Sequence, residues 1–157
     1  MFCLFDLIYV CGMNELENLN INNFTSIVNC SLHLNNSLYL NISLSGQNVI
    51  NANINRPINF MIYDIIQILE YIYNCCSLNK KIIIVDENGI DNAMFITIMF
   101  LMKYYKKKFE EIYSTIILYK NIHPKEYYCS INLIEYYLLN NFSNSNSNNN
   151  LVQSATY

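Results

Sequence analysis

The sequence predicts a three-layer α/β domain over residues 1–139, and three observations carry that prediction. Strand-like and helix-like patterns alternate through the middle of the chain, and helical patterns close it. Residues 81–85 form an apolar, β-branched run of the kind buried on both faces of a sheet. At 157 residues, 53% hydrophobic and 13% charged, the chain has the size and composition of one globular domain. A domain of this length buries roughly two-thirds of its unfolded surface, so its stability does not require the six Cys.

Residues 4–10 and 26–32 read as strands, separated by a polar stretch, 14–23, with Leu16 and Leu19 at helical spacing. Leu38, Leu40, Ile42 and Leu44 alternate with polar or aromatic neighbours and predict a further strand. Residues 46–57 read as a polar, Asn-rich loop. Ile58, Ile62, Ile65, Ile66, Leu69 and Ile72 form a helical stripe that runs out near Asn74. The central strand 81–85 is followed by a loop, 86–92, with one Gly, and by an apolar helix from Ala93 to about Tyr105, closed by Lys106, Lys107 and Lys108. Helices over 109–120 and 125–139 follow, divided by a turn ending at Pro124. Residues 140–157 are Asn- and Ser-rich and are expected to be disordered, because they have almost nothing to bury.

Composition excludes some functions. A net charge of −3, with one Arg, is a poor footprint for nucleic acid or anionic lipid, so neither is expected as a partner. The 27 Asn and 24 Ile are a general bias, which makes any single Asn weak evidence for a site. No window supplies the roughly 18–20 uncharged apolar residues of a membrane span. Residues 1–13 are apolar but have no basic start and contain Asp6, so a buried strand is expected rather than a signal peptide. A reduced, cytoplasmic setting follows for Cys3, Cys11, Cys30, Cys75, Cys76 and Cys129, and the sequons at Asn23, Asn29, Asn41 and Asn141 are expected to carry no glycan.

A strand, a loop with a central Gly and a buried helix form the layout of the phosphate-binding loop in cysteine-dependent phosphatases, and here the chain resembles the dual-specificity phosphatase family. Phe100, Leu101, Met102 and Lys103 look like that family's Tyr-Leu-Met-Lys helix ending. Phe109 to Tyr113 sit where it has Leu-Glu-Glu-Ala-Tyr. Residues 7–12 resemble its Leu-Tyr-Leu-Gly strand, 27–31 its Val-Leu-Asn-Val strand, 39–45 the segment that introduces the general acid, and 124–136 its last helix. The resemblance covers about residues 4–139 and implies a central mixed sheet of about four to five strands flanked by helices.

The family's chemistry needs a His-Cys-x-x-Gly-x-x-Arg-Ser/Thr loop, and only Gly89 of that set is present. The His position is Val85, the Cys position Asp86, the Arg position Asn92 and the Ser/Thr position Ala93, while the general-acid Asp falls on Gly46. The missing thiolate is the nucleophile and the missing guanidinium holds the phosphoryl oxygens. Loss of a nucleophile from a concerted set costs on the order of a millionfold in rate. Charge argues the same way, since Asp86, Glu87 and Asp91 surround a loop that would have to receive a dianion. Two unit charges about 5 Å apart repel by roughly 3 kcal/mol at an effective dielectric near 20. Either Asp86 or Asp91 is expected to fill the anion-seeking position itself, giving a self-capped loop.

Other readings carry less. An aspartyl-phosphate reading of residues 82–89 needs a second carboxylate where Asn88 stands. A Mg²⁺ or Ca²⁺ site would use Asp86, Glu87 and Asp91; solvated acids at a helix start are the simpler reading, and no metal or cofactor is expected. Cys75 and Cys76 read as packing residues, because adjacent Cys form strained bridges. Cys30 and Cys129 lack the context that would activate a displaced nucleophile. His33 and His123 are unpaired. In the pairs Tyr104–Tyr105, Tyr127–Tyr128 and Tyr136–Tyr137 one ring of each is expected to point outward. The resulting expectation is a catalytically inactive, phosphatase-like domain that binds a protein, with a phosphoprotein or kinase-pathway component among the candidates. The competing reading is a divergent dual-specificity phosphatase.

Overall fold

A computed structural model describes residues 1–31, 47–52, 58–120 and 135–140. Its elements are β1 (Phe2–Leu4), β2 (Ile8–Gly12), α1 (Met13–Leu16), a 3₁₀ turn (Ile21–Asn23), β3 (Ser26–Asn29), β4 (Asn48–Asn51), α2 (Ile58–Ser77), β5 (Ile82–Asp86), α3 (Asn92–Tyr105), α4 (Phe109–Lys120) and a π-helical turn (Tyr136–Asn140). The expected strand over 38–44, the general-acid position Gly46, His33, His123, Cys129, most of the last helix and the 141–157 tail lie outside the described residues.

The five strands make one mixed sheet in the order β1-β2-β5-β3-β4, with β1 antiparallel to β2 and the other pairs parallel. β5 is central as expected, and every residue of it is buried. Its alternation splits the core. Ile82 and Ile84 join Ile8, Val10 and Val28 beneath α2, α3 and α4, whereas Ile83 and Val85 join Cys11 and Ile27 beneath Leu16 and Phe24. The two outer layers are therefore unequal, a thick helical layer on one face and a short helix with a 3₁₀ turn on the other.

Two expectations need correction. Residues 4–10 are not one strand, because Phe5 and Asp6 take positive φ and turn the chain into a β1–β2 hairpin with Phe2 opposite Val10. Within the expected loop 46–57, Asn48–Asn51 form the edge strand β4, in register with β3 from Ser26↔Asn48 to Asn29↔Asn51. Asn is a poor strand former. Here the ladder and the bond from Asn29 Nδ2 to Asn51 Oδ1 (2.9 Å) supply what propensity does not.

α3 is buried through all ten residues from Ala93 to Met102, as an element enclosed on all sides must be. Its one buried hydroxyl, Thr97 Oγ1, donates to Ala93 O at 2.7 Å. Lys106 ends the helix in the left-handed region, the usual geometry of a C-terminal cap.

Candidate functional site

Parallel strands β2, β5 and β3 end together, and the open ends of such strands are where α/β sheets place ligands. Register puts Gly12 beside Asp86 and Asn29 beside Val85. The loop leaving β5 then runs back over the β2–α1 junction through a bridge between Gly12 and Asn88. That approach leaves no room for side chains. A Cβ on Gly89, whose φ is +76°, would lie 2.6 Å from Gly12 N, and one on Gly12 would lie 2.9 Å from Asn88 C. The chain has three glycines, and two of them face each other here.

Asp86 is wholly buried at the centre of the loop. Its Oδ1 accepts the N–H of Asn88 at 3.1 Å and that of Gly89, and its Oδ2 accepts the N–H of Ala93 in the first turn of α3 at 2.9 Å. Three amides that a strand-loop-helix turn would offer to an oxyanion are thus bonded to a carboxylate of the same loop. Of the two acids expected to fill this position, Asp86 does so. Asp91 precedes α3 but makes no side-chain cap there. It accepts from Asn88 Nδ2 at 3.1 Å, while Asn88 Oδ1 accepts the N–H groups of Ile90 (2.8 Å) and Asp91 (3.2 Å).

Two further bonds strap the loop to the end of β3. Asn92 Nδ2 donates to Cys30 O at 3.0 Å, and Ser31 Oγ donates to Glu87 Oε1 at 2.5 Å. Asn29 Oδ1 in turn accepts the Ser31 N–H at 3.0 Å. No spacing in the sequence announces the Ser31–Glu87 contact, which joins residues far apart in the chain. Asp86 and Asp91 both accept from Asn88 while Glu87 accepts from Ser31, and among the described residues no group of three His, Cys, Asp or Glu side chains is placed to hold a metal ion.

Val85, Asp86, Gly89, Asn92 and Ala93, aligned from the sequence, are all brought to this one place, with Val85 pointing into the core under α1. Two thiols flank it. Burial, reinforced by the charges of Asp86 and Glu87, pushes the Cys30 thiol well above its ordinary range. Burial first, with Glu15 and Asp86 acting in the same direction, pushes Cys11 up to about 12. Both are the opposite of an activated nucleophile.

No protein-family profile matches the chain, and no curated protein matches it in sequence. Solved structures do match. The crystal structure of DUSP15 is similar at TM-score 0.67 and 13% identity, covering 90% of this chain and 88% of that one. Human DUSP28 is similar at TM-score 0.63 and 9% identity, covering 87% and 93%. A leucine-rich-repeat and phosphatase-domain protein from Entamoeba histolytica is similar at TM-score 0.61 and 18% identity, covering 89% and 90%. With the strand order, the buried α3 and the loop between β5 and α3 already in place, these likenesses show that the chain has the dual-specificity-phosphatase-like fold.

Proposed function

We propose that this domain is catalytically inactive, a pseudophosphatase that works as a protein-binding or regulatory module. The observation that carries the reading is the Asp86 carboxylate bonded to the amides of Asn88, Gly89 and Ala93, where a cysteine-dependent phosphatase needs a thiolate and an open anion cradle. Asn92, at the arginine position, is engaged by the Cys30 carbonyl, and Val85 and Ala93 stand at the His and Ser/Thr positions. The partner in this reading is a protein, a phosphoprotein or kinase-pathway component among the candidates, met in the cytoplasm. No helix among the described residues is long and apolar enough to cross a membrane.

A second reading, a divergent phosphatase, is favoured by the structural neighbours, one of which is named for its phosphatase domain. The two are separated by assaying the purified chain with p-nitrophenyl phosphate and fluorescein-type aryl phosphates. The expected result is no turnover above buffer, with partial activity in the double variant Asp86→Cys, Asn92→Arg. Turnover by the natural sequence that Asp86→Ala abolishes would overturn the inactive reading.

A further inference from the structure

The sequence offers a Tyr-bearing helical face as one of two candidate contact surfaces, the other being the altered loop, and the structure gathers the pair Tyr104–Tyr105 into a cluster at the opposite end of α3 from that loop. Phe5 from the β1–β2 turn packs against Tyr104 (ring centroids 5.4 Å apart) and Tyr105 (6.2 Å), and Tyr73 of α2 lies 6.4 Å from Tyr104. The expectation that one ring of the pair would point outward is exceeded here, since both are half exposed. Phe5, Tyr73, Tyr104 and Tyr105 are 45–52% exposed, so four aromatics from three elements form one half-buried surface. Isolated exposed apolar residues need no explanation; a contiguous set of them does.

Phe5 is held there against its conformational preference. Its φ of 55° and that of Asp6, 56°, with the bond from Leu7 N to Leu4 O (3.0 Å), follow the pattern of a turn that normally selects Asn or Gly. A bulky apolar residue kept in the left-handed region and half in water is a local conflict of the kind that marks a functional surface.

Charge selects the occupant. Lys106, Lys107 and Lys108 follow Tyr105 directly, and Lys107 is paired with Glu111 at 3.7 Å. Lys106 and Lys108 make no ion pair among the described residues. Aromatic anchors beside unneutralised cations fit a segment that carries both apolar side chains and carboxylates. Two such lysines in a chain of net charge −3 fall short of the clusters of about four to eight that hold a protein on anionic lipid. The same lysines disfavour a second copy of this face by like-charge repulsion.

We infer that the surface formed by Phe5, Tyr73, Tyr104, Tyr105, Lys106 and Lys108 docks a linear, acidic segment of a partner protein through its apolar side chains. This rests on the binding-module reading and gives that module its contact surface, one helix length, roughly 20 Å, from the loop.

The test is selection from a random-peptide display library on the purified full chain, followed by fluorescence polarisation with the enriched peptides made synthetically. Enriched peptides are expected to be net acidic and to contain aromatic or aliphatic residues. Their affinity is expected to fall about tenfold or more in Lys106→Glu with Lys108→Glu, and in Phe5→Ser with Tyr105→Ser. It should stay unchanged in Tyr63→Ser, an exposed tyrosine of α2 outside the cluster. All the altered side chains are at the surface, and circular dichroism confirms that each variant is folded. The inference is overturned if no peptide is enriched, if the enriched peptides are neutral or basic, or if the paired variants bind as the natural chain does. It is equally overturned by charge-dependent binding to equimolar phosphatidylcholine–phosphatidylserine vesicles in place of peptides, or by a dimer in light scattering that the paired variants dissolve. Aryl phosphate turnover would defeat the inactive reading and leave this result standing, so the two failures are distinguishable.

Discussion

Asp86 carries one carboxylate against three amide donors, those of Gly89 and Ala93 buried and that of Asn88 partly so, and its removal leaves them unsatisfied in a closed loop. Asp86→Ala is expected to cost about 3 kcal/mol in urea unfolding. Asp86→Asn, which offers one acceptor oxygen, is expected to cost less, about 2 kcal/mol; equal stability of all three proteins would show that the carboxylate does not close the loop. Gly89→Ala meets both a left-handed backbone and a contact of 2.6 Å with Gly12 N, and a loss of about 2 kcal/mol or more is expected by the same measurement. The Cys11 thiol, raised to about 12 in the fold, has an ordinary value near 9 in the unfolded chain. Its contribution to stability is complete below about pH 9 and is lost as pH rises toward 12, at about 1.4 kcal/mol per pH unit. Alkylation at pH 8 should accordingly spare Cys11 and Cys30 until the chain is unfolded, and rapid native labelling of either would contradict their burial.

At the scale of elements, α3 is both the mechanical centre and the link between two surfaces. The sheet, α2, α4 and the 136–140 turn enclose it, so large-to-small changes within it cannot be relieved by solvent. Phe100→Ala is expected to cost about 3–5 kcal/mol, whereas Tyr105→Ser, one turn further along and half exposed, should stay within about 0.5 kcal/mol. Comparable losses at both positions in thermal or urea unfolding would mean that the aromatic cluster belongs to the core rather than to a docking surface. β4 shows the reverse relation between sequence and structure. Val49 and Ile50 favour a strand, but the Asn at either end of its four residues does not, and pairing with β3 places the whole element.

For the molecule as a whole, the loop amides are already bonded and the surrounding acids oppose a dianion, so phosphate has neither donors nor attraction to gain. Inorganic phosphate at millimolar concentration is expected to leave Tm unchanged, as follows when a ligand binds neither state. In Asp86→Ala the three amides are released, and phosphate or sulfate should then raise Tm. Stabilisation of the natural chain with micromolar affinity would show that the carboxylate yields to an anion.

What the sequence determined was set by short-range rules. The buried β-branched strand, the apolar helix after it and the acids between them follow from periodicity and residue type, and so does the expectation that an aspartate would close the loop. The tertiary structure decided which aspartate, because only the register of β5 against β2 turns Asp86 inward and leaves Asp91 half-buried outside the amide cluster. It also decided the pairing of Gly12 with Gly89, the strap from Ser31 to Glu87 and the meeting of Phe5 with Tyr104 and Tyr105. Each of these joins residues distant in the chain, and a contact of that kind exists only once the sheet order has brought the strand ends and helix ends together.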